Sequence, residues 1–219
     1  LNLVSVRITR SLGIPLVRDH LERFGFSRDR LSTGLSLALG SASTTPMEIA
    51  RGYAVFANGG YLIEPYFIAR IENRDGRIVR YANHTILCPA CRPNQSPSVQ
   101  IGSGIIRDRR YARRAISPEN AYLMTSLMNE VMTTGTGRKS LSLGRTDLSG
   151  KTGATNNFRD AWFTGFNHDI TASVWVGFDQ PKELGRRESG SRAALPIWID
   201  YMTIALKDKP IHPATIPEN

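Results

Sequence analysis

No stretch of this 219-residue sequence approaches the apolar length of a membrane span, and cysteine is nearly absent, with two residues in the chain. The first shortage excludes a membrane-crossing helix within these residues. The second excludes a disulfide-stapled miniprotein; at this length a hydrophobic core carries the fold. Cys88 and Cys91 form Cys-Pro-Ala-Cys. Two thiols do not make a four-ligand zinc site, and His84 alone does not complete one. Their Pro-rich surroundings are not the strand–helix setting of a redox dithiol either. In an oxidising compartment a local disulfide between them is expected. Residues 1–7 carry no basic leader or cleavage site, so no targeting segment is visible and the chain reads as beginning in mid-domain.

Recognition motifs for nucleic acid are missing too. The chain is basic, +9 from 28 Lys+Arg against 19 Asp+Glu, with clusters at Arg107, Arg109, Arg110, Arg113, Arg114 and at Arg186, Arg187, Arg192. Such patches bind phosphates non-specifically. These lack interleaved aromatics, so nucleic acid is not an expected partner, and a basic nucleic-acid-binding module is kept only as a distant alternative. An anionic membrane surface or cell-wall polymer is an equally physical one.

What is present reads as helices followed by an antiparallel sheet, an α/β chain of the α+β type. Residues 2–10 suit a helix with Leu3, Val6 and Arg7 on one face. Pro15 opens a second helix through Leu16, Val17, Leu21 and Phe24, stopped by Gly25. Residues 31–44 read as a packed loop with short turns. Thr45-Pro46-Met47-Glu48 is a capping box, and Ile49, Ala50, Tyr53, Phe56 and Ala57 form the buried stripe of the helix it starts. A hairpin follows, residues 65–71 against 77–81 around Asn73-Arg74-Asp75-Gly76. Residues 84–104 predict a mobile loop. Ser117-Pro118-Glu119 starts a helix with Ala121, Met124, Leu127, Met128 and Val131 on one side, ended by Thr133-Thr134-Gly135-Thr136-Gly137. A final amphipathic helix begins at Pro196. Residues 207–219, with Pro210, Pro213 and Pro217, read as a linker or frayed tail.

The stretch Ser149-Gly150-Lys151-Thr152-Gly153-Ala154-Thr155-Asn156 runs into two segments patterned as core strands. Residues 160–166 are one. The other alternates Ile170, Ala172, Val174, Val176 against Thr171, Ser173, Trp175, Gly177, and Asn167-His168-Asp169 turns between the two. Residues 151–155 are therefore expected as a third strand, at the sheet edge. Alternation sends Lys151 and Gly153 to one side and Thr152 and Ala154 to the other. Gly weakens a strand unless something must approach its backbone, so Gly153 reads as a clearance. A free edge also pairs with extended peptides. Alone, Lys-Thr-Gly reads first as a surface Lys beside a turn Gly, since three-residue motifs are weak evidence.

Its company is specific. Gly150-Lys151-Thr152-Gly153-Ala154-Thr155-Asn156-Asn157-Phe158-Arg159-Asp160-Ala161-Trp162-Phe163-Thr164-Gly165-Phe166 closely resembles the transpeptidase domain of class A penicillin-binding proteins. Leu37-Ala38-Leu39-Gly40-Ser41-Ala42-Ser43-Thr44-Thr45-Pro46 and Arg51-Gly52-Tyr53-Ala54-Val55-Phe56-Ala57-Asn58-Gly59-Gly60-Tyr61 resemble the same family. The resemblance covers most of residues 1–205 and implies the fold shared with serine β-lactamases, here incomplete, with residues 1–206 expected as part of the transpeptidase domain.

Members of that family carry Ser-Xaa-Xaa-Lys, Ser-Xaa-Asn and Lys-Thr-Gly. No Ser of this chain is followed three positions later by Lys. The first residues look like the region after the second motif's Ser, which makes Asn2 its Asn. The chain is thus expected to be the C-terminal part of a transpeptidase domain, inactive alone, whose partner is the rest of that domain. The resemblance implies roles for what is present. Lys151 is a cation beside the nucleophile, worth up to about 4 kcal/mol at roughly 4 Å and an effective dielectric of about 20. Thr152 donates to the donor peptide's terminal carboxylate, Gly153 keeps the cleft open, and Ala154 offers its N–H to the oxyanion. Asn2 positions the peptide amide or relays a proton. Many relatives have Thr where Ala154 stands, so a second carboxylate-binding hydroxyl is missing, and Thr155, on the opposite face, is a poor substitute.

The implied activity is serine-type D,D-transpeptidation of peptidoglycan stem peptides, with β-lactams as covalent inhibitors and no metal or organic cofactor. A serine β-lactamase or a D,D-carboxypeptidase shares the Lys-Thr-Gly strand. Also implied are an upstream glycosyltransferase domain and anchor, a place on the periplasmic face of the bacterial inner membrane, and room for a lipoprotein activator.

Overall fold

In a computed structural model of the chain, residues 2–82, 84–88, 98–101, 105–108 and 110–217 are described. Helices α1 (Asn2–Leu12) and α2 (Ile14–Arg23) break at Gly13, whose φ of 84° favours glycine. Residues 35–39 form a short 3₁₀ turn against α1. The expected capping box starts α3 (Pro46–Ala57): the Thr45 N–H donates to Glu48 Oε2 at 2.8 Å, and the Glu48 N–H to Thr45 Oγ1 at 3.2 Å.

The deepest face of α3 is not the predicted stripe. Val55 is wholly buried among Phe24, Leu62, Ala115, Ile116 and Ala121, and a Cβ on Gly52 would come within 3.0 Å of Phe26 Cζ. Ile49, Ala50, Tyr53, Phe56 and Ala57 are half-buried. Packing on two sides explains this: Phe56 meets Phe24, while Tyr53 reaches Phe166 on the sheet.

Small ladders fill the excursion between α3 and the next helix. They are β1 (Tyr61–Leu62), β2 (Arg70–Glu72), β3 (Ile78–Tyr81), β4 (Thr85–Ile86), β5 (Ser98–Ile101), β6 (Ile105–Asp108), β7 (Arg110–Tyr111) and β8 (Arg113–Arg114). They pair as β1–β8, β2–β3, β4–β7 and β5–β6. In the predicted hairpin turn, the Asn73 side chain accepts from the N–H groups of Asp75 and Arg77. The predicted mobile loop falls partly outside the described residues, as does the Cys88–Cys91 pair: Cys88 is disulfide-bonded, and Cys91 is not among them.

Helix α4 (Pro118–Thr133) turns Ala121, Met128 and Met132 inward. Met124 and Leu127, predicted on its buried side, are exposed with Leu123. The helix is apolar on two faces, and its neighbours in the structure cover one. Helix α4 packs on β9 (Ser149–Ala154), the edge strand of the sheet β11–β10–β9, completed by β10 (Ala161–Phe166) and β11 (Thr171–Val176). All three strands run antiparallel, with Lys151 opposite Thr164 and Gly153 opposite Trp162.

Against one face lie a π-turn at Gly190–Ala194 and α5 (Leu195–Ala205), which bury Phe163, Leu195, Trp198 and Met202 with Ile170, Ala172, Val174 and Val176 packed around them. The predicted alternation of β11 is therefore realised. The stretch expected as linker or frayed tail is tied down near its start. Arg145 donates to the Lys209 and Pro210 carbonyls, and the His212 N–H donates to Asp147 Oδ2 at 3.1 Å.

Candidate active site

The site grows from how β9 is held. The Ser149 hydroxyl donates to the Thr125 carbonyl at 3.0 Å, and Asn129 Nδ2 donates to the carbonyls of Thr146 and Leu148 at 3.0 and 2.7 Å. Helix α4 thereby fixes the start of the strand. Gly150 has no room for a side chain: a Cβ would lie 2.8 Å from the Thr164 carbonyl oxygen. Beyond Ala154, Thr155 closes the turn into β10. Its hydroxyl accepts from the Asp160 N–H at 2.8 Å and donates to Asp160 Oδ2 at 3.2 Å. The Thr155 side chain is thus committed to the turn, and Asp160 also accepts from Trp175 Nε1 at 2.9 Å.

Between these anchors the strand presents its groups in two directions. A Cβ on Gly153 would meet Trp162 Cβ at 3.2 Å, so position 153 shares a face with Trp162 and, one strand further, Trp175. Lys151 lies on that same face and is exposed. Thr152 and Ala154 belong to the other face, Thr152 opposite the buried Phe163.

The Thr155 N–H bonds the Asp160 carbonyl at 3.2 Å. Pairs along an antiparallel ladder alternate between bonded and non-bonded, so the N–H of Ala154 and the carbonyl of Thr152 point to the open edge. Consistent with this, Lys151 Nζ donates to the Thr152 carbonyl at 3.0 Å. The edge therefore offers an ammonium, a hydroxyl and an outward backbone N–H within four consecutive residues, next to a glycine that leaves room.

Two contacts escape the sequence pattern. Thr136 Oγ1 lies 2.8 Å from Thr152 Oγ1, joining the loop after α4 to the strand. Gly190 sits directly on the strand backbone, where a Cβ would fall 2.1 Å from the Trp162 oxygen and 2.7 Å from the Gly153 oxygen. In the sequence Thr136 reads only as part of a helix stop, and Gly190 only as a residue among Arg186, Arg187 and Arg192. Asn2 is exposed at the start of α1, which packs on α2 and on residues 35–39; among the described residues no hydrogen bond joins it to β9. Lys151, Thr152, Gly153 and Ala154 are thus brought together on one strand.

A groove of about 490 Å³ beside Tyr122, Asn129, His168 and Pro213 opens at the Ser149 end of β9, away from these groups. Among the described residues no group of three or more His, Cys, Asp or Glu could hold a metal ion, and no helix is long and apolar enough to cross a membrane.

Comparison with known proteins gives a consistent set of relatives. The sequence pattern of the penicillin binding protein transpeptidase domain matches residues 1–202. Penicillin-binding protein 1A of Pseudomonas aeruginosa is 46% identical over 244 aligned residues, covering 99% of this chain and 29% of that protein. The protein of the same name from Neisseria gonorrhoeae is 42% identical over 217 residues, covering 99% of the chain and 25% of the relative. A crystal structure of penicillin-binding protein 1A from Haemophilus influenzae superposes with a TM-score of 0.85 at 39% identity, over 99% of this chain and 34% of that one. PonA1 of Mycobacterium tuberculosis, solved in complex with penicillin V, shares the fold at a TM-score of 0.70 and 21% identity, over 97% of this chain and 55% of that one. The chain thus spans between a quarter and a third of the length of the two 1A relatives known by sequence.

Proposed function

The chain belongs to the penicillin-binding protein transpeptidase family, and on that premise we propose that it is the Lys-Thr-Gly half of a peptidoglycan D,D-transpeptidase. The edge of β9 carries this reading: Lys151 is exposed next to Gly153 on one face, while the Ala154 N–H points outward.

The attacking serine comes from polypeptide outside these residues. Its hydroxyl is a weak nucleophile unless a base removes the proton and a cation stabilises the alkoxide. The Lys151 ammonium supplies that cation. The serine oxygen adds to the carbonyl carbon of the penultimate D-alanine, and the oxyanion that forms is met by the Ala154 N–H, a contact worth about 3 kcal/mol in the transition state. The C–N bond then breaks, D-alanine departs with a proton on its nitrogen, and an ester to serine remains. An amine of a second stem peptide attacks that ester, restoring the serine and forming the cross-link. Asn2, at the start of α1, orients the peptide amide.

Exposed apolar side chains support that missing part as the chain's first partner. Leu3, Val4, Ile8 and Leu12 on α1, Leu123 and Leu127 on α4, and Ile197, Tyr201 and Ile204 on α5 are all more than half exposed. A folded domain buries such stripes. β-Lactams, which mimic the donor, are the expected covalent inhibitors; penicillin-binding protein A of Mycobacterium tuberculosis, similar in fold, was solved as an imipenem acyl-enzyme complex. An upstream glycosyltransferase domain and anchor, the periplasmic face of the inner membrane and a lipoprotein activator complete the reading, on the strength of the resemblance to class A proteins.

Incubating the full-length protein with labelled penicillin and with peptidoglycan precursor tests it. A long-lived adduct and dimeric muropeptides are expected. Release of the adduct within seconds indicates a β-lactamase, and trimmed monomers without dimers indicate a D,D-carboxypeptidase.

A further inference from the structure

A carboxylate only accepts hydrogen bonds, through two oxygens, and binds best to two directed donors. On β9 the side chain of Thr152 offers one, and position 154, where a second hydroxyl could stand, is alanine. The structure supplies another hydroxyl from a different segment: Thr136 Oγ1, 2.8 Å from Thr152 Oγ1 in an exposed contact. We infer that Thr136 is the second carboxylate-binding residue of this site, standing in for the hydroxyl that Ala154 lacks. The assignment rests on the transpeptidase reading above.

Thr136 is not a loose loop residue. It lies between two glycines pressed against the end of α4, with a would-be Cβ on Gly135 at 2.9 Å from Val131 Cα and one on Gly137 at 2.8 Å from Met132 Sδ. The Gly137 N–H bonds the Val131 carbonyl at 3.0 Å, and the Arg138 N–H bonds the Gly135 carbonyl at 3.2 Å. The chain therefore folds back on α4 on both sides of Thr136 and aims its side chain at the strand. In the free site one hydroxyl donates to the other and a single proton is left to point outward. An arriving carboxylate replaces that mutual bond with two charge-assisted ones, one to each of its oxygens. The partner class is any donor ending in a free carboxylate beside its acyl bond, a D-amino-acid terminus or a β-lactam acid.

The test uses the full-length protein and two probes, a fluorescent penicillin as the free acid and the same compound as its methyl ester. Thr136→Val is expected to lower the second-order acylation rate for the acid about tenfold, the loss of one hydrogen bond to a charged group. The ester rate should stay within twofold, because no carboxylate remains to be held. Thr136→Ser should restore the acid rate, and Ala154→Thr placed in the Thr136→Val protein should recover most of it. Equal acid rates in wild type and Thr136→Val overturn the assignment, as does equal slowing of acid and ester, which marks a purely structural role. Absence of any adduct in the wild type overturns the transpeptidase reading, and the assignment with it.

Discussion

On the α5 side of the sheet Phe163, Leu195, Trp198 and Met202 are buried to 1% exposure or less, and Gly190 rests on the backbone of Gly153 and Trp162. On the opposite side α3 and α4 cover the Ser149–Phe166 end, but toward Gly153 the cover stops: Lys151 is exposed and Trp175 keeps 37% of its surface. The same strand is thus seated in a finished core on one face and left unfinished on the other. Packing fixes where β9 lies, and the unfinished face is where its chemistry can act. Glycine matters on both sides: at 190 it lets the π-turn press close, and at 153 a Cβ would meet Trp162 Cβ at 3.2 Å.

If the open face is the reacting one, its cation matters more than any core residue. Lys151→Ala in the full-length protein is expected to slow acylation by labelled penicillin about a thousandfold, near 4 kcal/mol of lost stabilisation, with the melting temperature unchanged. Unchanged acylation would place the chemistry elsewhere.

The closed side breaks next. Asp147, its side chain fully buried, takes a bidentate contact from Arg145 at 2.9 and 2.6 Å and accepts from the His212 N–H. Burial opposes its ionisation, but hydrogen bonds from Arg145, His212 and Asn167 and the Arg145 charge outweigh that and hold the carboxyl below its ordinary value. Asp147→Ala leaves the Arg145 guanidinium without its carboxylate and should lower unfolding free energy by about 3 kcal/mol in urea melts near pH 7. A carboxyl depressed in the folded state stabilises above its unfolded pKa and ceases to as pH falls through the folded one. The gap between wild type and Asp147→Ala should therefore be full above about pH 4 and close below it. A gap that persists at lower pH contradicts this assignment.

Gly190→Ala sharpens the comparison, since it disturbs the closed face directly behind the open one. Its Cβ would fall 2.1 Å from the Trp162 oxygen, and about 2 kcal/mol of stability should be lost together with acylation rate. Thr45→Ala removes the N-cap of α3 and should cost about 1 kcal/mol with acylation untouched.

Much of this was legible in the sequence. Period-two alternation from Ile170 to Gly177, the turn at Asn167 and the capping box at Thr45 report local physics, and all are realised. The position of β9 at the sheet edge followed from chain order and short connections. Tertiary choices were not legible. Nothing local says which of two apolar faces α4 buries, and Met124 and Leu127 lie on the exposed one. A proline-rich tail reads as linker because its anchors, Arg145 and Asp147, lie far back in the chain. Thr136 and Thr152 are likewise separated in sequence, and only folding sets their hydroxyls 2.8 Å apart.

Peptide mapping of the full-length protein after reaction with penicillin tests the account most directly. The adduct should sit on one serine outside residues 1–219, and Lys151→Ala should slow its formation about a thousandfold. An adduct on a serine within these residues, Ser149 beside the lysine among them, would contradict the claim that β9 serves a nucleophile carried by another part of the domain.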